Sequence, residues 1–70
     1  MPRYFFHLKG LGTAKDTAGV RLQNDAAARQ EAILRSLSGP SFRLQKYRNY
    51  GFIEVLDEGG RVVCEVAIEH

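Results

Sequence analysis

Residues 52–68 read F-I-E-V-L, then D-E-G-G, then R-V-V-C-E-V-A-I: two runs in which β-branched and apolar side chains recur at every second position, joined by a four-residue turn. A period of two sends alternate side chains to opposite faces of a strand, so the stretch reads as a β-hairpin. Asp57 and Glu58 suit the first positions of a type I turn, and Gly60 can supply the left-handed residue that matches such a turn to the twist of the strands. A single hairpin is marginal in water, so the remaining chain must complete a sheet and cover it. Alternation predicts that Ile53, Val55, Val62, Cys64, Val66 and Ile68 point into the core, and Phe52, Glu54, Leu56, Val63, Glu65 and Ala67 away from it.

Upstream, residues 3–9 (R-Y-F-F-H-L-K) have the aromatic composition of a strand and are bounded by Pro2 and Gly10. Tyr4, Phe6 and Leu8 share one face, Phe5 and His7 the other. Residues 10–19 read as a loop, with D-T-A-G suited to a turn, and residues 20–22 as a short return strand. The G-x-G at Gly10 and Gly12 is not a phosphate loop: the dinucleotide pattern needs glycine where Lys15 stands, and a strand-loop-helix context is missing. Asn24 is a good N-cap, with Asp25 at the positive end of the helix dipole. Residues 26–37 have strong helix propensity, and Gly39-Pro40 stop the helix. At 100° per residue Ala26, Ile33, Leu34 and Leu37 fall on one arc, predicted to be the buried one, with Gln30 fitting it badly.

Strand, strand, helix, strand, strand gives an α+β class: a two-layer ββαββ domain with a four-stranded antiparallel sheet and one helix on one face. Order 2-1-3-4 is preferred over 1-2-4-3 because it centres the most aromatic strand, and the crossover is expected to be right-handed. With 70 residues the chain is a single domain near the lower limit for a self-sufficient core, burying only roughly 60% of its unfolded surface. Marginal stability or a partner is therefore expected. One helix leaves the other sheet face open, and Phe5, Phe52, Leu56 and Val63 are predicted to form an apolar patch there. Such patches mark interfaces, so a homodimer or other homo-oligomer is expected, through this face or an exposed edge strand.

Hydrophobic residues at 44% and charged residues at 26% are ordinary for a soluble globular protein. No apolar run approaches a membrane span and the N-terminus is too short in apolar residues for a secretory signal, so a cytoplasmic location and no membrane partner are expected. The lone Cys64 excludes an intramolecular disulfide or a thiolate metal cluster within one chain and reads as a small buried hydrophobe. The order also places His7, Glu54 and Glu65 on three neighbouring strands, which could supply a base or half a metal site but reads more simply as ordinary cross-strand charge pairing. No nucleophile or oxyanion donor accompanies them, so no catalytic residue, metal or cofactor is assigned and a non-enzymatic role is expected. Residues 41–51 interleave Arg43, Lys46, Tyr47 and Arg48 with further aromatics. This is the composition of a packed connector, or alternatively of a nucleic-acid-binding segment using stacking and phosphate contacts.

M-P-R-Y-F-F-H at residues 1–7, D-x-x-G-V-x-L at 16–22, A-A-R-x-E-A at 27–32 and I-E-V-x-D-E-x-G-R-V at 53–62 occur together. In these the chain resembles an uncharacterised family of short bacterial proteins, a domain of unknown function, that begins M-P-R-Y-F-F-H and closes with such a hairpin. The resemblance implies a bacterial cytosolic setting and assigns no activity. Asn24, where aspartate after proline is the family pattern, and the aromatic, basic connector are departures from it. The element order is also similar to that of small antitoxin domains of the HicB type, which pair with toxins; this is an analogy of fold.

Overall fold

The computed structural model describes residues 1–10, 12–37 and 50–68. They form β1 (Arg3–Gly10), β2 (Thr13–Ala14), β3 (Val20–Arg21), α1 (Asp25–Leu37), β4 (Tyr50–Asp57) and β5 (Val62–Ala67). One antiparallel sheet, ordered β2-β1-β4-β5 with β3 also paired to β1, lies under the helix. The α+β, two-layer class is the one expected. The sheet has five strands where four were anticipated, because the stretch taken as a loop doubles back early: the Gly10 amide donates to the Gly12 carbonyl at 3.0 Å, and Thr13 and Ala14 then pair with Lys9 and Leu8.

β2 and β3 share one edge of β1. Ala14 lies opposite Leu8 and Val20 opposite Tyr4, leaving a gap in the ladder at Phe6. The Asp16 side chain fills it, its Oδ2 accepting the Phe6 amide proton at 3.1 Å. The other edge of β1 carries β4 along its length, from Tyr4 opposite Asp57 to Gly10 opposite Tyr50.

The core consists of Tyr4, Phe6, Ile53, Val55 and Ile68 from the sheet side and Ala28 and Ala32 from the helix. Asn24 caps α1 as expected: its Oδ1 accepts from the Ala27 amide at 2.9 Å and its carbonyl from the Ala28 amide at 3.1 Å. The rotation of the helix differs from the expected one. Ala28, Ala32 and Ser36 face the sheet, while Leu34 and Leu37 are 53% and 59% exposed and Ala26 is exposed too. Two anchors set this rotation. The Tyr4 hydroxyl donates to Asp25 Oδ1 at 2.8 Å, and the Arg35 guanidinium lies 4.2 Å over the Phe6 ring. Asp25, Ala28, Ala32 and Arg35–Ser36 are spaced three or four apart, which is one stripe of a helix. Small residues on that stripe let the helix approach a sheet surface that already carries large side chains. The buried Ser36 hydroxyl donates to the Ile33 carbonyl at 2.7 Å, so it is satisfied within the helix.

The hairpin turn is as predicted. The Gly60 amide donates to the Asp57 carbonyl at 3.0 Å and Gly60 has φ +88°. One strand of the hairpin departs from simple alternation. Val55 faces Cys64 but Leu56 faces Val62, so Val63 is an extra residue at a bulge. The bulge reverses the expected sides: Val62, predicted for the core, is 48% exposed, and Val63, predicted for the outer patch, packs against the core. Among the described residues no helix is long and apolar enough to cross a membrane.

Candidate interaction surface

The register arranges the sheet face opposite the helix in three cross-strand rows. Phe5, Leu56 and Val62 make the first, His7, Glu54 and Glu65 the second, and Lys9, Phe52 and Ala67 the third. Apolar corners thus flank a charged middle. Phe5, Phe52 and Leu56 are half-buried and sit where the sequence placed them; Val62 takes the place of Val63. His7, Glu54 and Glu65 do share one row, as expected. The His7 Nδ1 accepts the Asp16 amide proton at 2.9 Å, which puts the proton of the neutral ring on Nε2, and its ring stacks on Phe5 with centroids 6.5 Å apart. Lys9 Nζ lies 3.6 Å from Glu54 Oε1. Among the described residues there is no group of three or more His, Cys, Asp or Glu that could hold a metal ion. Arg43, Lys46, Tyr47 and Arg48, the alternative nucleic-acid segment, lie outside the described residues.

The second open feature is an edge. β5 ends the strand order. The Ile68 amide donates to the Gly51 carbonyl at 2.9 Å, so Ile68 and Gly51 are a hydrogen-bonded pair. Such pairs alternate along an antiparallel ladder, which turns the backbone groups of Val66 and Cys64 toward β4 and those of Glu65 and Ala67 outward. The opposite edge is closed by comparison: β2, Asp16 and β3 together occupy it.

Two carboxylate networks that the sequence reading did not identify hold these surfaces in shape. At the β1 edge, Asp16 Oδ1 accepts from the amides of Ala18 (3.1 Å) and Gly19 (3.0 Å) in addition to the Phe6 bond at Oδ2. Burial pushes this carboxyl up, but the amides of Gly19, Phe6 and Ala18 outweigh it and, with Arg35 nearby, hold the group below the ordinary aspartate value. The D-x-x-G motif was the available signal. At the other end of the sheet, Arg61 Nη2 donates to Asp25 Oδ2 at 2.7 Å and its Nε to Asp57 Oδ2 at 3.0 Å. Asp57 Oδ1 also accepts from the amides of Gly59 and Arg61, both at 2.9 Å. The bond from Arg61 holds Asp25 below its ordinary value, helped by Tyr4, and the Arg61 amide does the same for Asp57. Burial and the bond to Asp25 push the Tyr4 hydroxyl up. The chain Tyr4–Asp25–Arg61–Asp57 therefore ties β1, the start of α1 and the hairpin turn together.

These features define a class: a small two-layer α+β domain, one helix on an antiparallel sheet, whose described residues leave one sheet face and one edge strand uncovered. Residues 3–69 match a protein family described as a domain of unknown function, DUF6894, and the chain belongs to that family. No curated protein and no solved structure matches the chain.

Proposed function

We propose that the protein is a non-enzymatic interaction module that self-associates, and that two copies join through their β5 edges. Among the described residues no strand pairs with the outer side of β5, and the outward-facing backbone of Glu65 and Ala67 there is the observation that carries this reading. An unpaired edge is a template for a further strand, and an edge that pairs antiparallel with its own copy satisfies a twofold axis. Centring that axis on Val66 sets Glu65 across from Ala67 of the second copy, whereas centring it on Glu65 would oppose two like charges. The edge is a better contact than the open face, because face-to-face packing would desolvate His7, Glu54, Glu65 and Lys9 at its centre. Edge pairing leaves that row in water and runs the open faces, with Phe5, Leu56 and Val62, into one continuous surface. A bacterial cytosol fits a chain whose one cysteine, Cys64, is half-buried and unpaired.

Ala67→Pro tests the assignment. Its amide points away from β4, so proline removes a donor to a second copy and none from the ladder. Sedimentation at tens of micromolar should show a dimer for the parent chain and a monomer of unchanged fold for the variant. A parent that remains monomeric, or a variant that remains dimeric, overturns the edge assignment.

A further inference from the structure

In a dimer joined through β5 the twofold axis stands perpendicular to the sheet, so both helices lie on the same side of it. α1 packs over β4 and β5, beside the joined edges. Paired strands are about 4.8 Å apart, so two helices centred over β4 and β5 of their own copies have axes two strand spacings, about 10 Å, apart. Helices that touch directly are separated by about 8–10 Å. We infer that α1 supplies a second contact between the copies: the last turns of the two helices pass side by side, with Leu37 of each at the twofold axis and Ile33 one turn behind it. The contact rests on the edge pairing but is not required by it.

Both the flank and the level of this contact follow from the fold. Arg35 leans toward β1, over the Phe6 ring, and Glu31 is bonded to it. At 100° per residue Ile33 and Leu37 fall on the opposite flank, toward β5, while Leu34 points away from the sheet and the edge alike. Arg61, just before β5, donates to Asp25 at the start of α1, so the two elements begin level. Arg35 lies over Phe6, whose row continues through Val55 to Cys64, so they also run the same way. A strand advances about 3.3 Å per residue and a helix about 1.5 Å, which sets Val66 level with about Ser36. Helical side chains lean toward the N-terminus of their helix, and this brings Leu37 back onto an axis centred at Val66. The edge needs such a neighbour. β5 presents a backbone strip of about 20 by 5 Å, a small part of the about 800 Å² that each partner buries in a stable complex. Of the exposed large apolar side chains among the described residues, Met1, Leu34, Leu37 and Val62, only Leu37 lies on the helix flank that borders the edge.

Leu37→Lys and Leu37→Glu test the contact by sedimentation equilibrium of the whole chain, run beside the parent and Ala67→Pro. Leu37 is exposed in the single copy, so both variants should keep the circular dichroism spectrum of the parent. Each alone should weaken association at least about tenfold, because the change counts twice in a symmetric pair. An equimolar mixture of the two sets lysine against glutamate at the axis and should associate at least about fivefold more tightly than either variant alone. Leu34→Lys, a change at a similarly exposed leucine that faces away from the axis, should leave association within about twofold of the parent. If Ala67→Pro dissociates the dimer and the Leu37 variants do not, the helix contact is overturned and the edge stands. Weakening by both Leu37 variants without recovery in the mixture also overturns it. Recovery in the mixture together with indifference to Ala67→Pro supports the helix contact and overturns the edge, and a monomeric parent overturns both.

Discussion

Replacing Gly19 with alanine should be among the most damaging single-methyl changes this chain can suffer. Gly19 has φ +74°, and a Cβ there would lie 2.7 Å from Arg3 Cγ and 2.9 Å from Phe5 Cε1. The left-handed backbone alone disfavours alanine by about 1 kcal/mol. Displacing the Phe5 ring, which is also stacked on His7, adds about 1–2 kcal/mol of overpacking. The sum, about 2–3 kcal/mol, is a large part of the roughly 4–10 kcal/mol available to a domain of this size. It corresponds to a loss of about 10–20 °C in Tm. Gly60→Ala separates the two contributions, since Gly60 has φ +88° but nothing within 4 Å of its would-be Cβ; it should lose only the backbone share, about 1 kcal/mol. Gly12→Ala, with open space, should be close to neutral. Thermal and urea unfolding at low micromolar concentration, where association contributes little, measures all three. Equal losses for Gly19→Ala and Gly60→Ala would refute the steric half of the reasoning. A strictly additive double variant of Gly19→Ala with Phe5→Val would refute the role given to the ring.

Asp16→Ala strips the acceptor from three amides and should lower stability by about 1.5–3 kcal/mol in urea unfolding, more than any exposed aspartate-to-alanine change. Asp16, Asp25 and Asp57 are all held below their ordinary values in the fold, so the unfolded chain binds protons more tightly; stability should be fully present above about pH 4 and fall as the pH drops through the folded values, with a urea midpoint independent of pH between 6 and 2 as the contrary result. Arg61→Met should move the Asp25 titration, followed by carboxyl NMR, back up toward the ordinary range and the Asp57 titration less, because the residue 61 amide still donates to Asp57; an unmoved Asp25 titration would remove the Arg61 side chain as its cause. The rotation of α1 is checked by Ala32→Leu, which should cost about 1–3 kcal/mol by overpacking, against Leu34→Gln, which should stay within about 0.5 kcal/mol.

The hairpin turn was legible because Asp57-Glu58-Gly59-Gly60 carries its own backbone chemistry, and the Asn24 cap for the same reason: in each, a side chain or a missing Cβ acts on atoms two to four positions away. The helix rotation was not legible. Hydrophobic periodicity weighs Ile33, Leu34 and Leu37 above alanine, while the sheet already supplied the bulk and the helix needed small residues to approach it. Strict alternation likewise has no term for the bulge that exchanges Val62 and Val63. β2 is two residues long, below the length at which a period exists. In the candidate surfaces, the rows of the open face followed from strand order, but the outward turn of the Glu65 and Ala67 backbone depends on the pairing phase of β4 with β5, which no local stretch encodes.

The central pairing of β1 with β4 joins residues far apart in the chain: Tyr4 meets Asp57, 53 positions later. Everything that β1 does for the core waits on that closure, and loop closure must come before the contacts that reward it. The domain should therefore fold late and slowly for its size, in milliseconds or longer, after the helix and the 50–68 hairpin have formed and dissolved many times. A newborn chain exposes Tyr4, Phe5 and Phe6 until β4 arrives, and two separately made pieces, residues 1–37 and 50–70, would each lack half of the sheet that the other completes.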